Sequence, residues 1–180
     1  MSVNQRFIVR DMIADDRPSV IAMIDALALV ERSIERDRLT DAGLSVSYLA
    51  RMEQRVARSG GALLVALPSE RPPEIVGYAI SEYADDFEFV AASYRQHAYI
   101  ADMYITEQWR GTGCARALVD EIVQRARASG INRVAISALA RNDAANEAYK
   151  RLGFRAYAVQ YVQDLDGSDP DDGPVDHETM

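Results

Sequence analysis

The chain of 180 residues holds one cysteine, Cys114, and two histidines. A single cysteine excludes an intramolecular disulfide framework and any cysteine-cluster metal site, so no metal is expected. No stretch approaches the ~20 apolar residues that a bilayer-spanning helix needs. The first residues, Met1 to Arg6, lack the apolar run of a secretory signal. Together these absences read as a cytoplasmic protein with no membrane partner. Lysine is nearly missing too: 19 of the 20 basic residues are arginine, and the other is Lys150. The formal net charge of −8 comes almost wholly from one end, since seven acids and no Lys or Arg fall between Asp164 and Met180. The rest holds 21 acids against 20 bases. Such a body lacks the basic surface that nucleic-acid phosphates require, so no nucleic-acid partner is expected.

What is present is enough to fold. Hydrophobic residues make up 48% and charged residues 27%, which suits a soluble protein with one core. Residues 1–163 read as a single domain and 164–180 as an acidic C-terminal tail. The tail's composition, with Gly167, Pro170, Gly173 and Pro174, is that of a disordered segment. Its acids are expected to pair with arginines of the body or of a second subunit.

Along the body, Phe7–Val9 reads as a strand. Asp15-Asp16-Arg17-Pro18 opens a helix with an acid for the cap and proline in the first turn. A second helix runs from Ser45 to Arg58 and stops at Gly60-Gly61. Strands Ala62–Leu67 and Ile75–Glu82 flank a turn holding three prolines. A polar hairpin region, Asp85 to Gln96, leads into a strand from Ala98 to Thr106. A long helix follows, with Cys114, Ala115, Leu118, Val119, Ile122, Val123 and Ala126 in one apolar stripe, and Gly130 ends it. Strand Arg133–Ala138, a short helix from Asn142 to Gly153 and a last strand, Phe154–Leu165, complete the chain. The order βααβββαβαβ predicts an α/β (α+β) fold, a central mixed sheet flanked by helices.

Two segments carry chemistry. Arg110-Gly111-Thr112-Gly113-Cys114-Ala115 lies between a strand and a helix. The small residues permit a tight turn, and the first N–H groups of the helix, with its dipole, form a receptor for a phosphate or diphosphate. An ordinary strand–helix turn would look the same. No Lys-Ser/Thr follows the glycines, and Arg116 breaks the dinucleotide fingerprint, so a nucleoside triphosphate or dinucleotide is disfavoured. Further on, Asn142, Asn146 and Tyr149 are spaced by four and three, which puts two amides and a phenol on one helix face. Helix capping by Asn142 or Asp143 beside a surface tyrosine is the plainer account.

Taken together, Arg110-x-x-Gly113-x-Ala115 after the strand Met103-Tyr104-Ile105, and Asn142-x-x-Ala145-x-x-x-Tyr149-x-x-x-Gly153-Phe154, resemble the GNAT superfamily of acetyl-CoA-dependent N-acetyltransferases. The two motifs span residues 99–154. The resemblance implies acetyl-CoA as co-substrate. The backbone of Met103, Tyr104 and Ile105 would hold the pantetheine arm like an added strand. The amides of Arg110, Gly111, Thr112, Gly113, Cys114 and Ala115 would hold the diphosphate, Asn142 would contact the pantetheine or the neighbouring chain, and Asn146 would lie near the cofactor. Tyr149 would stand by the sulfur. Two positions depart from the family pattern: Glu107, where proline is common, and Cys114, where an aliphatic residue is usual. Cys114 is read as a packing residue.

The implied chemistry is direct attack of a neutral amine on the thioester. It needs loss of the amine's proton, a donor for the oxyanion and a proton for the sulfur. A backbone N–H of the Met103–Ile105 strand would be the oxyanion donor and Tyr149 the acid. The base is less evident. Strand alternation puts His97, Tyr99, Ala101, Met103 and Ile105 on one face, and Asp102 on the other. Tyr99 and Asp102 are the candidates; Glu82 or His97 acting through water are further ones, and an amine arriving neutral needs none. Asp102 can also be a structural carboxylate.

The segment Glu82 to Glu88 holds Glu82, Asp85, Asp86 and Glu88 among aromatic residues. It is either a pocket wall for a cationic amine or a solvated hairpin. The stretch Tyr99–Ile105 resembles its counterpart in small aminoglycoside and polyamine acetyltransferases, which points to a small-molecule amine. The resemblance also implies a homodimer. The competing expectations are a non-catalytic acyl-CoA-binding regulatory module, an acetyltransferase of a protein or peptide amine or of charged transfer RNA, and an unrelated phosphate-binding enzyme.

Overall fold

The computed structural model describes residues 6–71 and 73–165. They form two compact units, one of residues 6–27 and 41–137, the other of residues 28–40 and 138–165.

The first unit is built on a five-stranded sheet in sequence order: β1 (Phe7–Asp11), β2 (Ala62–Pro68), β3 (Gly77–Asp85), β4 (Gln96–Ile105) and β5 (Val134–Ile136). The first four strands pair antiparallel and β5 joins β4 in parallel, so the sheet is mixed as expected. Helix α1 (Arg17–Arg32) starts in this unit, and α2 (Leu44–Ser59) and α4 (Cys114–Ala128) lie wholly in it; a short α3 (Ala92–Arg95) sits in the hairpin region.

Strand parity sorts the core into two layers. Leu63, Val65 and Leu67 of β2 and Tyr78 and Ile80 of β3 cluster with Val20, Met23 and Ile24 of α1 and with Leu49 and Met52 of α2. On the other face α4 packs across β1 to β4 with Cys114, Leu118, Val119, Ile122 and Ala126 buried. Gly77 shows which face this is, because a Cβ there would meet Ile105 Cδ1 at 2.6 Å and Cys114 Sγ at 3.3 Å. The start of α1 is fastened by Asp16, which accepts from Ile13 N at 2.8 Å and from both terminal nitrogens of Arg10. Those bonds hold the Asp16 carboxyl below its ordinary range; the Arg10 hydrogen bond is the largest cause and outweighs burial.

The second unit holds α5 (Asp143–Leu152). Arg141 donates to Ile34 O at 2.7 Å and pairs with Glu35, and Asp164 lies 3.6 Å from Arg36. The first acid of the tail thus meets an arginine; residues 166–180 lie outside the described residues. One expected element does not form. Phe154–Leu165 is not a strand, and Tyr157, Val159, Tyr161, Val162 and Leu165 are exposed. Alternating apolar residues make a segment fit for a sheet, but a strand exists only where a neighbour takes up its backbone hydrogen bonds.

Candidate functional site

Strand β4 is the spine of the candidate site, and its register corrects the parity read from sequence. Tyr104 pairs with Tyr78, Met103 with Ala79 and Asp102 with Ile80, but Ser81 then pairs with Ile100 and Glu82 with Tyr99. Ala101 is an extra residue, a β-bulge, and beyond it the alternation inverts. Directly opposed residues share a face. Hence His97, Tyr99, Asp102 and Tyr104 all project to the α1/α2 side with Ala84, Glu82, Ile80 and Tyr78, while Met103 and Ile105 turn toward α4. The expectation that Asp102 opposes Tyr99 across the sheet fails because a bulge leaves no mark in a hydrophobic pattern. Tyr99 bonds Ser137 Oγ through its hydroxyl at 2.7 Å.

The parallel ladder with β5 covers only Ala98 to Ile100 against Val134 to Ile136. The stretch Met103–Ile105 runs on past the end of that ladder, into the turn that precedes α4. A 3-10 turn at Glu107–Trp109 leads to Arg110, whose Nε donates to Ile105 O at 3.1 Å and whose guanidinium lies over the Tyr104 ring at 5.4 Å. Thr112 Oγ1 donates to Trp109 O at 2.7 Å. Gly111 and Gly113 have φ of +72° and +99°, and a Cβ at either would meet nothing within 4 Å. Glycine is required here by backbone conformation, and the space beside it is open. Gly113 is the N-cap of α4 and has no side chain to cap the N–H groups of the first turn. The turn therefore has the form of an anion cradle. Glu107 stands in the 3-10 turn, so the loop forms without proline there.

Cys114 is buried at the start of α4, beneath Gly77. Burial pushes its thiol up to about 12, so at neutral pH it is protonated and packs as a small apolar group.

In the second unit Asn142 caps α5, its Oδ1 accepting from Ala145 N at 3.1 Å. Asn146 Nδ2 donates to the carbonyls of Leu139, Ala140 and Asn142 at 3.0–3.2 Å. Both amides thus shape the entry to α5, which is the plainer of the two accounts read from sequence. Tyr149 is half-buried and meets Phe154 edge-on, ring centroids 6.1 Å apart.

The acids of the hairpin region do not form one wall. Asp85 and Glu88 are exposed, as are Phe87 and Phe89. Asp86 turns inward, 3.5 Å from His97 Nδ1 and 3.7 Å from Arg133. Glu82 is buried and bound by Arg55 of α2 through both its Nε, at 2.9 Å, and a terminal nitrogen. Arg55 was not singled out in sequence; a partner 27 residues away on another element leaves no local signal.

Among the described residues no helix is long and apolar enough to cross a membrane. The family model for the acetyltransferase (GNAT) family matches residues 30–154, which include the glycine turn and α5. An uncharacterized N-acetyltransferase of Bacillus subtilis, YycN, is 33% identical over 61 residues, 34% of this chain. The match spans about 39% of that relative's length. Among solved structures, an acetyltransferase of Trypanosoma brucei is 23% identical with a TM-score of 0.63, and the aminoglycoside 6'-N-acetyltransferase of Acinetobacter haemolyticus is 14% identical with a TM-score of 0.65. Each likeness covers 88% of this chain and 99% of the other, and at these identities it shows the fold. Strand, glycine turn and helix, matched as one unit by the family model, establish that the chain belongs to the GNAT acetyltransferase family.

Proposed function

We propose that the protein is an N-acetyltransferase that moves the acetyl group of acetyl-CoA to a primary amine of a small molecule. The observation that carries this reading is the course of β4. It outruns the β5 ladder and leads, through the 3-10 turn, to two positive-φ glycines that border open space at the start of a helix. That cradle fits the diphosphate of coenzyme A, and the strand beyond the ladder fits its amide-bearing arm. When bound, acetyl-CoA supplies an acyl group activated as a thioester.

The chain's own residues do the rest. The backbone of Met103, Tyr104 and Ile105 binds the arm and offers an N–H to the acyl oxygen. The amides from Arg110 to Ala115 bind the diphosphate, and Arg110 adds a cation. Asn142 and Asn146 hold the start of α5 in shape, which sets the position of Tyr149 on that helix. Tyr149 holds its proton at Oη for the sulfur. A phenol of ordinary pKa ~10 gives its proton to a thiolate slightly uphill, so the site must favour the transfer. The Asp102 side chain is the group that receives the amine's proton, and Tyr99, on the same face of β4, relays it by passing on its own phenol proton as it takes up the amine's. The small-amine reading draws support from the near-neutral body and from the shared fold of the Acinetobacter aminoglycoside enzyme. We take the working state to be a cytoplasmic homodimer.

The test is release of free thiol from acetyl-CoA in the presence of aminoglycosides, polyamines, amino acids and peptides. Turnover confined to small amines is the expected result. Coenzyme binding by calorimetry with no thiol release from any amine would instead make the protein a non-catalytic acyl-CoA-binding module.

A further inference from the structure

The Arg55–Glu82 pair is unevenly buried. The side chain of Glu82 is 10% exposed and that of Arg55 is 52% exposed. Glu82 is one of four buried polar or charged residues among those described, with Asp16, Ser45 and Ser81. Asp16 has an architectural task, the fastening of α1. Glu82 caps no helix; on β3 it pairs directly with Tyr99 of β4, on the sheet face that also carries Asp102. The cation that satisfies it reaches over from α2 with half of its length in water. A buried carboxylate requires a cation, and breaking such a pair without replacement is costly. Exchange is another matter. An exposed arginine swings into solvent with its hydration restored, and an ammonium in its place keeps the site neutral.

We propose that Glu82 is a specificity-determining residue that binds a second, protonated nitrogen of the acceptor, with Arg55 as the counter-ion it displaces. The substrate class is then a diamine or polyamine, one nitrogen held as ammonium at Glu82 while another is acetylated. No covalent bond changes at Glu82. Tyr99 is the neighbour of Glu82 on this face, since opposed residues lie about 5 Å apart at Cβ. The inference rests on the acetyltransferase reading and narrows its acceptor.

The experiment compares kcat/KM for 1,4-diaminobutane with that for butylamine, at saturating acetyl-CoA, in the natural protein, Glu82→Gln and Arg55→Gln. The natural protein is expected to prefer the diamine at least tenfold. Glu82→Gln should reduce that ratio below threefold, and Arg55→Gln should raise it by lowering KM for the diamine. A ratio that Glu82→Gln leaves intact overturns the proposal. Should either variant not fold, Arg55→Lys, which keeps a cation beside the carboxylate but loses the two-pronged grip, decides alone: a diamine KM at least threefold lower supports the assignment, and an unchanged or higher one overturns it. Should no amine be acetylated, the enzymatic reading falls, and calorimetric titration with 1,4-diaminobutane tests the pair by itself. Heat of binding that Glu82→Gln abolishes supports a cation site; equal heat in both, or none in the natural protein, removes it.

Discussion

At the scale of single residues, the proposed chemistry gives separate tests for Tyr149 and Gly113, and burial gives one for Cys114. If Tyr149 supplies the proton to sulfur, Tyr149→Phe lowers kcat at least tenfold and leaves acetyl-CoA affinity by calorimetry within about twofold. Equal turnover in the variant would remove Tyr149 from the mechanism. Gly113→Ala forces a Cβ onto a backbone at φ +99°, at a cost of about 1–2 kcal/mol, and places a methyl group in the open cradle. Coenzyme A affinity should fall about tenfold or more. Cys114 gives a prediction with a definite sign. Its native thiol titrates near 12, and in the unfolded chain near 8.5. Between those values the unfolded state has lost a proton that the native state keeps, so stability declines as pH rises above about 9. An aromatic disulfide reagent should leave the thiol untouched at pH 7 until denaturant is added. Fast labelling of the folded protein would show that the burial is incomplete.

Secondary-structure elements depend on a few contacts that can be cut one at a time. Gly61 opens β2 so close to β3 that a Cβ would lie 2.0 Å from Ser81 O and 2.6 Å from Glu82 Cα. Backbone cannot yield as a side chain does, so Gly61→Ala should cost about 3 kcal/mol, read by urea denaturation. Asp16→Asn removes the charge that binds Arg10 and the backbone at Ile13, a loss of about 2 kcal/mol at neutral pH. Because the native carboxyl titrates below its unfolded value of ~3.9, this contribution is whole above that pH and fades as pH falls through the native pKa. The difference in Tm between the two proteins should therefore shrink below about pH 4. These elements were legible in sequence to different degrees. Helix α4 announced itself by its apolar stripe and bounding glycines, and the Asn142 cap by the residue type ahead of an apolar run. The bulge was not legible, because Ala101 resembles its neighbours and only the register with β3 exposes it. Nor was the fate of Phe154–Leu165, since alternation describes a strand's faces and says nothing of its partner.

For the whole molecule, charge and association are the testable properties. A homodimer predicts an apparent mass of about 40 kDa, twice the 20.0 kDa of the chain, in sedimentation at micromolar concentration. A 20 kDa species there would refute it. Composition offers one more consequence. The only lysine of the chain stands on α5, with Lys150 Nζ 2.6 Å from Glu147 Oε1 and most of its side chain in solvent. A protein that acetylates amines has, on its own side chains, a single place where its product can accumulate. Arginine keeps the charge that surface pairs need yet is a poor nucleophile, always protonated near neutrality. Such an enzyme can stay long in the company of its activated donor without labelling itself, and a mass spectrum after prolonged incubation should show no more than one modified side chain.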